Sequence, residues 1–174
     1  MDFKSKIVLI SGPTASGKSS FAIQLAKKIN GEIINADSMQ IYKQLRIISA
    51  RPDPKKYQKI NHHLYGFHDA KKSFSTGDWL KLARQKIKKI QKKNMIPIIV
   101  GGTGLYFKAL TDGLVEIPNI PARLRNEVRN LHQRLGQREF FKKLLKIDSS
   151  YKGKINTSDS QRSIRACLLY TSDA

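Results

Sequence analysis

The chain has 174 residues, with 33 Lys and Arg against 13 Asp and Glu, so its formal net charge is +20 and its pI is near 10.2. This length suits one α/β domain with a small appendage, and the charge favours a polyanionic partner, RNA or DNA first. One cysteine, Cys167, excludes an internal disulfide, and because no apolar run has membrane-spanning length or the pattern of a leader, we expect a soluble, cytoplasmic protein.

The first elements of the chain predict a phosphate-binding loop. Lys6–Ile10 is an apolar, β-branched run that predicts a buried strand, and apolar residues from Phe21 to Ile29 recur at helical spacing. The glycine-rich segment between them fits the pattern G-x-x-x-x-G-K-[ST], in which backbone N–H groups and a helix N-terminus converge on a phosphate. Lys18 adds a positive charge, and Ser19 offers a hydroxyl to Mg²⁺. The segment is Gly12, Pro13, Thr14, Ala15, Ser16, Gly17, Lys18 and Ser19.

A second buried strand is predicted at Glu32–Ala36, and Asp37 follows it directly. A carboxylate at this strand end would lie across a cleft from the phosphate loop, placed to take a proton from a nucleophile. A turn-forming or helix-capping Asp is the alternative interpretation. The polar and aromatic residues of Ser38–Tyr42 suit the binding of a planar acceptor by hydrogen bonds and stacking.

The middle of the chain carries a histidine pair and a basic helix. We interpret His62 and His63 as structural or substrate-lining, because no other metal ligand stands at a suitable spacing. Thr76 is predicted to cap a helix whose apolar stripe runs from Trp79 to Ile90. The opposite face of that helix is rich in lysine, which fits either a nucleic-acid surface or a solvated face.

A third buried strand, Pro97–Val100, ends in the turn Gly101–Gly104, and a short helix follows from Leu105. Strands that alternate with helices predict a parallel sheet flanked by helices, an α/β fold of the P-loop NTPase-like type. Ligands bind at the carboxyl ends of such strands, where the phosphate loop, Asp37 and this turn would meet. The strand carries no terminal Asp of the kind that organises the metal in motor-type NTPases, which favours a small-molecule kinase or a group transferase.

From Pro118 the composition changes to a basic helical pattern. Arg123 to Lys146 is rich in Arg and Lys and carries two apolar stripes, which indicates a small basic helical insertion outside the sheet. The predicted division is therefore a P-loop α/β core at 1–117, the insertion at 118–160, and a return to the core at 161–174.

Four motifs, in this order and spacing, resemble tRNA dimethylallyltransferases: the phosphate loop, Asp37–Tyr42, His62–Leu64 and Gly101–Tyr106. Gln161–Ala166 also resembles a segment of that family. The likeness extends from about Lys6 to Ala166. It implies transfer of a dimethylallyl group from dimethylallyl diphosphate to N6 of the adenosine 3′ of the anticodon, with release of diphosphate.

The resemblance also implies residue roles. Asp37 would be the general base at N6, Thr14 would touch the bridging region of the leaving diphosphate, and Lys18, Ser19 and the loop amides would hold it with Mg²⁺. The insertion would bind the anticodon stem-loop of a tRNA. We also expect the protein to be a monomer and to bind no membrane. The implied tRNA contacts are Asp37, Ser38, Met39, Gln40, Thr103, Arg125, Gln161, Arg162, Ser163, Ile164 and Arg165.

The chain departs from the family pattern at its end. The family continues past this point with a basic segment whose arginine helps to hold the diphosphate, and residues 167–174 do not continue the amphipathic helix of that pattern. We therefore expect a truncated form that is weakly active or inactive.

Two other functions stay open from the residues alone. A nucleoside or other small-molecule kinase would use ATP, with Asp37 as the base for an alcohol, but leaves Gly101–Tyr106 and the basic insertion unexplained. An RNA-binding module would use the phosphate loop to hold a structural phosphate, without chemistry.

Overall fold

The computed structural model describes residues 6–115 and 120–172, and the chain divides into two compact units, 1–114 and 115–174. The predicted boundary at 117/118 lies outside the described residues, as do residues 173–174. Within the two described ranges, no helix is both long and apolar enough to cross a lipid bilayer.

A parallel four-stranded sheet organises the first unit, which confirms the predicted α/β architecture. Its spatial order is β1-β4-β2-β3. The strands are β1 (Val8–Ser11), β2 (Gly31–Asn35), β3 (His62–His63) and β4 (Ile96–Gly101).

Helices cover both faces of this sheet: α1 (Lys18–Ile29) on one face, and α2 (Thr76–Lys92) with α3 (Gly104–Thr111) on the other. Ile33 and Ile98 pack against α1, while their neighbours Ile34 and Ile99 pack in the cluster that contains α2 and α3. This alternation follows from the two-residue period of side chains along a strand. The chain also forms short 3₁₀ turns at Lys43–Leu45 and Pro54–Lys56.

The strands differ in burial. Every residue of β2 and β4 is buried, as predicted. The prediction of a buried strand is wrong for β1, where burial alternates and Leu9 is 42% exposed. In the described sheet β1 is an edge strand that pairs with β4 alone, so one side of it has no described partner.

Ser75, and not the predicted Thr76, caps α2. The Ser75 hydroxyl oxygen accepts a hydrogen bond from the Asp78 N–H at 3.1 Å, and the Asp78 carboxylate accepts one from the Ser75 N–H at 2.9 Å. This reciprocal capping box fixes the first turn of the helix. The predicted apolar stripe is confirmed, because Trp79 and Ile90 are both buried.

The second unit is a helical hairpin of α4 (Ala122–Ile147) and α5 (Ser160–Ser172), with a 3₁₀ turn at Ser149–Tyr151 between them. Gly136, at φ 73°, breaks α4 into two helical halves. α5 packs against α4, so residues 160–172 belong to this unit and not to the sheet core where they were predicted to return. The helix continues to Ser172 with Cys167 and Leu168 buried, so the expectation that no amphipathic helix continues past Ala166 is wrong. Apolar residues explain this pairing: Val128, Phe140, Phe141 and Leu144 of α4 meet Ala166, Cys167 and Leu168 of α5.

Candidate active site

The carboxyl ends of three strands meet at one edge of the sheet. A Cβ added to Gly101 would lie 2.1 Å from the carbonyl of Ala36, and one added to Gly102 would lie 3.5 Å from the Gly12 oxygen and 3.9 Å from Asp37 Oδ2. Glycine is therefore required at position 101, and the turn at the end of β4 touches both the phosphate loop and Asp37. The predicted convergence of the three segments is confirmed.

The phosphate loop has the backbone form of an anion site. Gly17, at φ 80°, is the N-cap of α1, and Ala15 is also left-handed at φ 64°. In the first turn of α1 there is no acidic residue, and no side chain caps the helix. The first N–H groups of α1 therefore lack side-chain acceptors and are available to an anion. The Lys18 ammonium folds back over the loop and donates to the Pro13 carbonyl.

One cavity of about 320 Å³ joins the loop to Asp37. Asp37 is the only carboxylate among the described residues that line this cavity, so a ligand whose phosphates lie on the loop would have this acid group beside it. Ser19 supplies a hydroxyl oxygen to the same cavity, which is the kind of ligand that Mg²⁺ accepts. The lining residues are Thr14, Ala15, Ser16, Gly17, Lys18, Ser19, Ser20, Asp37, Gln40, Ser49 and Ala50.

Asn35 orients Asp37, a role that sequence reasoning missed. Its side chain is fully buried and accepts the Asp37 N–H, while the Asp37 Oδ1 accepts the Met39 N–H at 2.9 Å. Asp37 is therefore held at two points: its backbone N–H by Asn35, and its carboxylate by the Met39 N–H. An amide residue that follows two isoleucines in a predicted buried strand, two positions before Asp37, was the signal that could have found Asn35.

The remaining predicted contact residues of the first unit form a small network. The Ser38 N–H donates to Thr103 Oγ1 at 2.9 Å, and the Thr103 hydroxyl donates to Ser38 Oγ at 3.2 Å. Gln40 donates its side-chain amide to the Ser49 carbonyl at 3.0 Å, and Met39 is 47% exposed. The structure thus gathers Ser38 and Thr103 at the end of β2, beside Asp37.

Buried aromatic residues support the end of β2 that carries Asn35. The rings of Trp79 and Tyr106 stack with centroids 4.3 Å apart, and Trp79 Nε1 donates to the Asn35 carbonyl at 2.8 Å. Burial raises the pKa of Tyr106 to about 12, and the negative charge of Asp37 contributes to this shift. Burial also raises the pKa of Tyr65. Both phenols therefore stay neutral near neutral pH, when they can donate or accept hydrogen bonds but carry no charge.

The histidine pair has structural partners. His63 Nε2 lies 2.6 Å from Glu32 Oε2, and the His62 ring stacks on Tyr57 with centroids 3.6 Å apart. Across the described parts of the chain, no group of three or more His, Cys, Asp and Glu side chains could hold a metal. These contacts support the structural interpretation of both histidines.

The second unit holds the other predicted tRNA contacts. Arg125, Gln161, Arg162 and Arg165 are exposed. Ser163 is fully buried, where its hydroxyl donates to the Asp159 carbonyl at 2.7 Å and accepts from Gln137 at 3.1 Å. Ile164 is half-buried against the apolar cluster of α4 and α5. The Ser163 hydroxyl is therefore used within the unit, and the tRNA contact at Ser163 stays a prediction.

The profile of the IPP transferase family matches residues 40–173 of the chain. The chain belongs to the IPP transferase family. The tRNA dimethylallyltransferase of Pelagibacter ubique HTCC1062 is 61% identical over 95% of this chain, and that of Hyphomonas neptunium is 47% identical over 91%. These alignments cover 53% and 50% of the two relatives, so the chain spans about half the length of the curated relatives it matches.

Solved structures give the same family and fold. The full-length tRNA isopentenylpyrophosphate transferase of Bacillus halodurans is similar with a TM-score of 0.63 and 34% identity, over 95% of this chain and 55% of that one. A eukaryotic dimethylallyltransferase acting on tRNA has a TM-score of 0.78 and 28% identity, over 97% of this chain and 42% of its own. The α/β core of the present chain therefore has the P-loop NTPase-like fold that was predicted from its phosphate loop.

Proposed function

We propose that the chain transfers a dimethylallyl group from dimethylallyl diphosphate to N6 of the adenosine 3′-adjacent to the anticodon in tRNA. The observation that carries this proposal is the single cavity lined by both the phosphate loop and Asp37. The curated relatives, named tRNA dimethylallyltransferase, support the choice of donor and acceptor. No observation on the fold or the relatives favours the kinase alternative.

The phosphate loop holds the leaving group. As the allylic carbon–oxygen bond breaks, negative charge develops on the diphosphate, and preorganised N–H groups at the start of α1 stabilise it. Lys18 adds a cation, and we assign Thr14, which lines the cavity, to the bridging region of the diphosphate. Ser19 is the residue that would hold Mg²⁺, which would supply further charge neutralisation when bound.

Asp37 acts on the acceptor. N6 of the adenine attacks the first carbon of the allyl group, the bond from this carbon to the diphosphate oxygen breaks, and the Asp37 carboxylate accepts the proton that N6 loses. Asn35 and Met39 hold Asp37 in place for this transfer. A planar base beside Asp37 would also reach Ser38 and Thr103.

Exposed polar and basic residues of the second unit bind the RNA backbone. A base that is stacked inside an RNA loop is inaccessible, so it has to be flipped out into the cavity. Unstacking the base costs roughly a few kcal/mol. Phosphate contacts offset this cost, and we propose that Arg125, Gln161, Arg162 and Arg165 contribute to them. tRNA affinity should therefore fall steeply with salt concentration.

Mass spectrometry of tRNA tests the proposal. The chain, in excess over an anticodon stem-loop RNA, is incubated with Mg²⁺ and either dimethylallyl diphosphate or ATP, so that even slow transfer is detected. With the first donor we expect slow transfer of one dimethylallyl group to the adenosine beside the anticodon, as for a weakly active form, and with ATP we expect no product. Phosphorylation of an acceptor by ATP would support the kinase, and RNA binding with no product from either donor would support a binding module.

A further inference from the structure

The turn at residues 46–51 forms a wall between two cavities beside the phosphate loop. Ser49 and Ala50 line the cavity of about 320 Å³ that Asp37 shares with the loop. Arg46, Ala50 and Arg51 line a second cavity of about 770 Å³. Ala50 of the turn and Ser19 and Ser20 of α1 belong to both linings. The turn therefore forms one side of the first cavity, and its position affects how closely a ligand there is enclosed.

Two hydrogen bonds attach this turn to the segment that follows Asp37. The Gln40 side chain donates to the Ser49 carbonyl at 3.0 Å, and Arg51 Nη1 donates to the Tyr42 carbonyl at 3.1 Å. The segment that carries Gln40 and Tyr42 is itself fixed, since the Gly66 N–H donates to the Gln40 carbonyl at 2.9 Å. Arg51 therefore ties the end of the turn to a rigid support.

The position of the Arg51 guanidinium depends on Gly66. A Cβ added to Gly66 would lie 1.8 Å from Arg51 Nη1 and 2.5 Å from its Cζ. Because the guanidinium is the end of a flexible side chain, a methyl group at position 66 would displace Arg51 and leave the surrounding backbone in place. The hydrogen bond to Tyr42 would then be lost.

We propose that Arg51 is a positioning residue that latches the turn at 46–51 over the diphosphate cavity, and that Gly66 provides the space for this latch. The inference rests on the proposed function, since it assumes that the cavity holds a diphosphate. Arg51 acts through the Tyr42 carbonyl and the wall residues Ser49 and Ala50. Its guanidinium has no task at the reacting atoms.

The test compares Gly66→Ala with Gly113→Ala in the full chain. Both glycines have positive φ, +55° and +86°, so alanine is strained at either position, but nothing lies within 4 Å of a Cβ added to Gly113. The matched pair separates the clash with Arg51 from backbone strain. Arg51→Ala and the double variant Arg51→Ala/Gly66→Ala complete a double-mutant cycle.

Two readouts are measured: amide hydrogen exchange of residues 46–51, and the affinity for inorganic pyrophosphate with Mg²⁺. We expect Gly66→Ala and Arg51→Ala each to speed exchange roughly tenfold, since each removes a charge-assisted hydrogen bond. Each should also weaken pyrophosphate binding about three- to tenfold through the loosened wall. In the Arg51→Ala background, Gly66→Ala should add little beyond backbone strain, and Gly113→Ala should leave both readouts unchanged.

Equal effects of Gly66→Ala and Gly113→Ala would overturn the latch, as would additive effects in the double variant. Faster exchange with unchanged pyrophosphate affinity would overturn the positioning role. If the unaltered chain binds no pyrophosphate, the proposed function fails and with it the role of Arg51 at the cavity, while the exchange data still decide whether Arg51 holds the turn.

Discussion

Asn35 holds the backbone of Asp37 on both sides: its Oδ1 accepts the Asp37 N–H at 3.0 Å, and its amide donates to the Asp37 carbonyl at 2.9 Å. The same amide donates to the Leu64 carbonyl at 3.1 Å. Asn35 is fully buried, so lost partners would not be readily replaced by water. This pair therefore fixes the place of the carboxylate that we propose as the base.

Asn35→Ala should lower the free energy of unfolding by about 1–3 kcal/mol, because it leaves buried backbone groups unpaired. It should also slow prenyl transfer by displacing Asp37. Urea denaturation followed by the fluorescence of Trp79, the single tryptophan, measures the first effect. Asn126→Ala, at an exposed position of α4, is the control and should change little. Equal stability of the two variants would contradict the role of Asn35.

Asp37→Asn should reduce the single-turnover transfer rate roughly 10²–10⁴-fold, the usual size of a general-base contribution. The amide oxygen can still accept the Met39 N–H, so the local turn and the affinity for tRNA should be retained. Rapid-quench kinetics and filter binding on the same preparation separate the two effects. A collapse of tRNA affinity with an unchanged rate in the bound complex would make Asp37 a binding residue.

Lys18→Ala should weaken the binding of diphosphate with Mg²⁺, because it removes the cation beside the phosphate loop. Lys27→Ala removes the same charge from an exposed position in the last turn of α1 and serves as the control. Titration calorimetry with inorganic pyrophosphate measures both. Wild-type affinity in Lys18→Ala would remove this side chain from the mechanism.

Glu32 should make the stability of the first unit depend on acid pH. Burial alone would raise its pKa, but hydrogen bonds from Asn61, His63 and Lys93 outweigh burial and hold the pKa at about 2, against 4.5 ordinarily. A folded-state pKa below the unfolded value means that the ionised group stabilises the fold above about pH 4.5. That stabilisation is lost as the pH falls from 4.5 towards 2.

Glu32→Gln tests this expectation. At pH 7 the variant should lose about 1–3 kcal/mol of unfolding free energy, and its difference from the unaltered chain should shrink as the pH falls below about 4.5. Chemical denaturation at a series of pH values measures the difference. Glu127→Gln, in an exposed pair with Arg123, should keep the pH dependence of the unaltered chain. A difference that is constant between pH 7 and pH 3 would contradict the linkage.

Local patterns in the sequence predicted most of the site. The phosphate loop, Asp37 and the turn at Gly101 each follow a run of apolar, β-branched residues, and parallel strands bring their carboxyl ends together. The strand order and the exposure of Leu9 could not be predicted in this way, because pairing between strands is non-local. A run of apolar residues has the same sequence pattern in a central strand and in an edge strand, so it does not predict the strand's position in the sheet.

Long-range contacts explain the other differences. Ser163 is buried where α5 packs on α4, and Gln137, 26 residues away, donates a hydrogen bond to its hydroxyl; no helical period reveals such a pair. Ser75 and Thr76 are both competent caps, and the choice between them depends on the reciprocal bond with Asp78. α5 packs on α4 because the apolar faces of the two helices fit together. This pairing depends on two segments that are distant in the sequence, so neither segment predicts it alone.

A crystal structure of the chain with Mg²⁺ and an unreactive thio-analogue of dimethylallyl diphosphate would show which cavity binds the diphosphate. We expect the diphosphate on the backbone amides of residues 12–19, with the first allylic carbon about 5–7 Å from the Asp37 carboxylate, which leaves room for the attacking amine between them. A diphosphate bound instead in the 770 Å³ cavity, among Arg46, Lys55 and Lys56, would contradict this expectation.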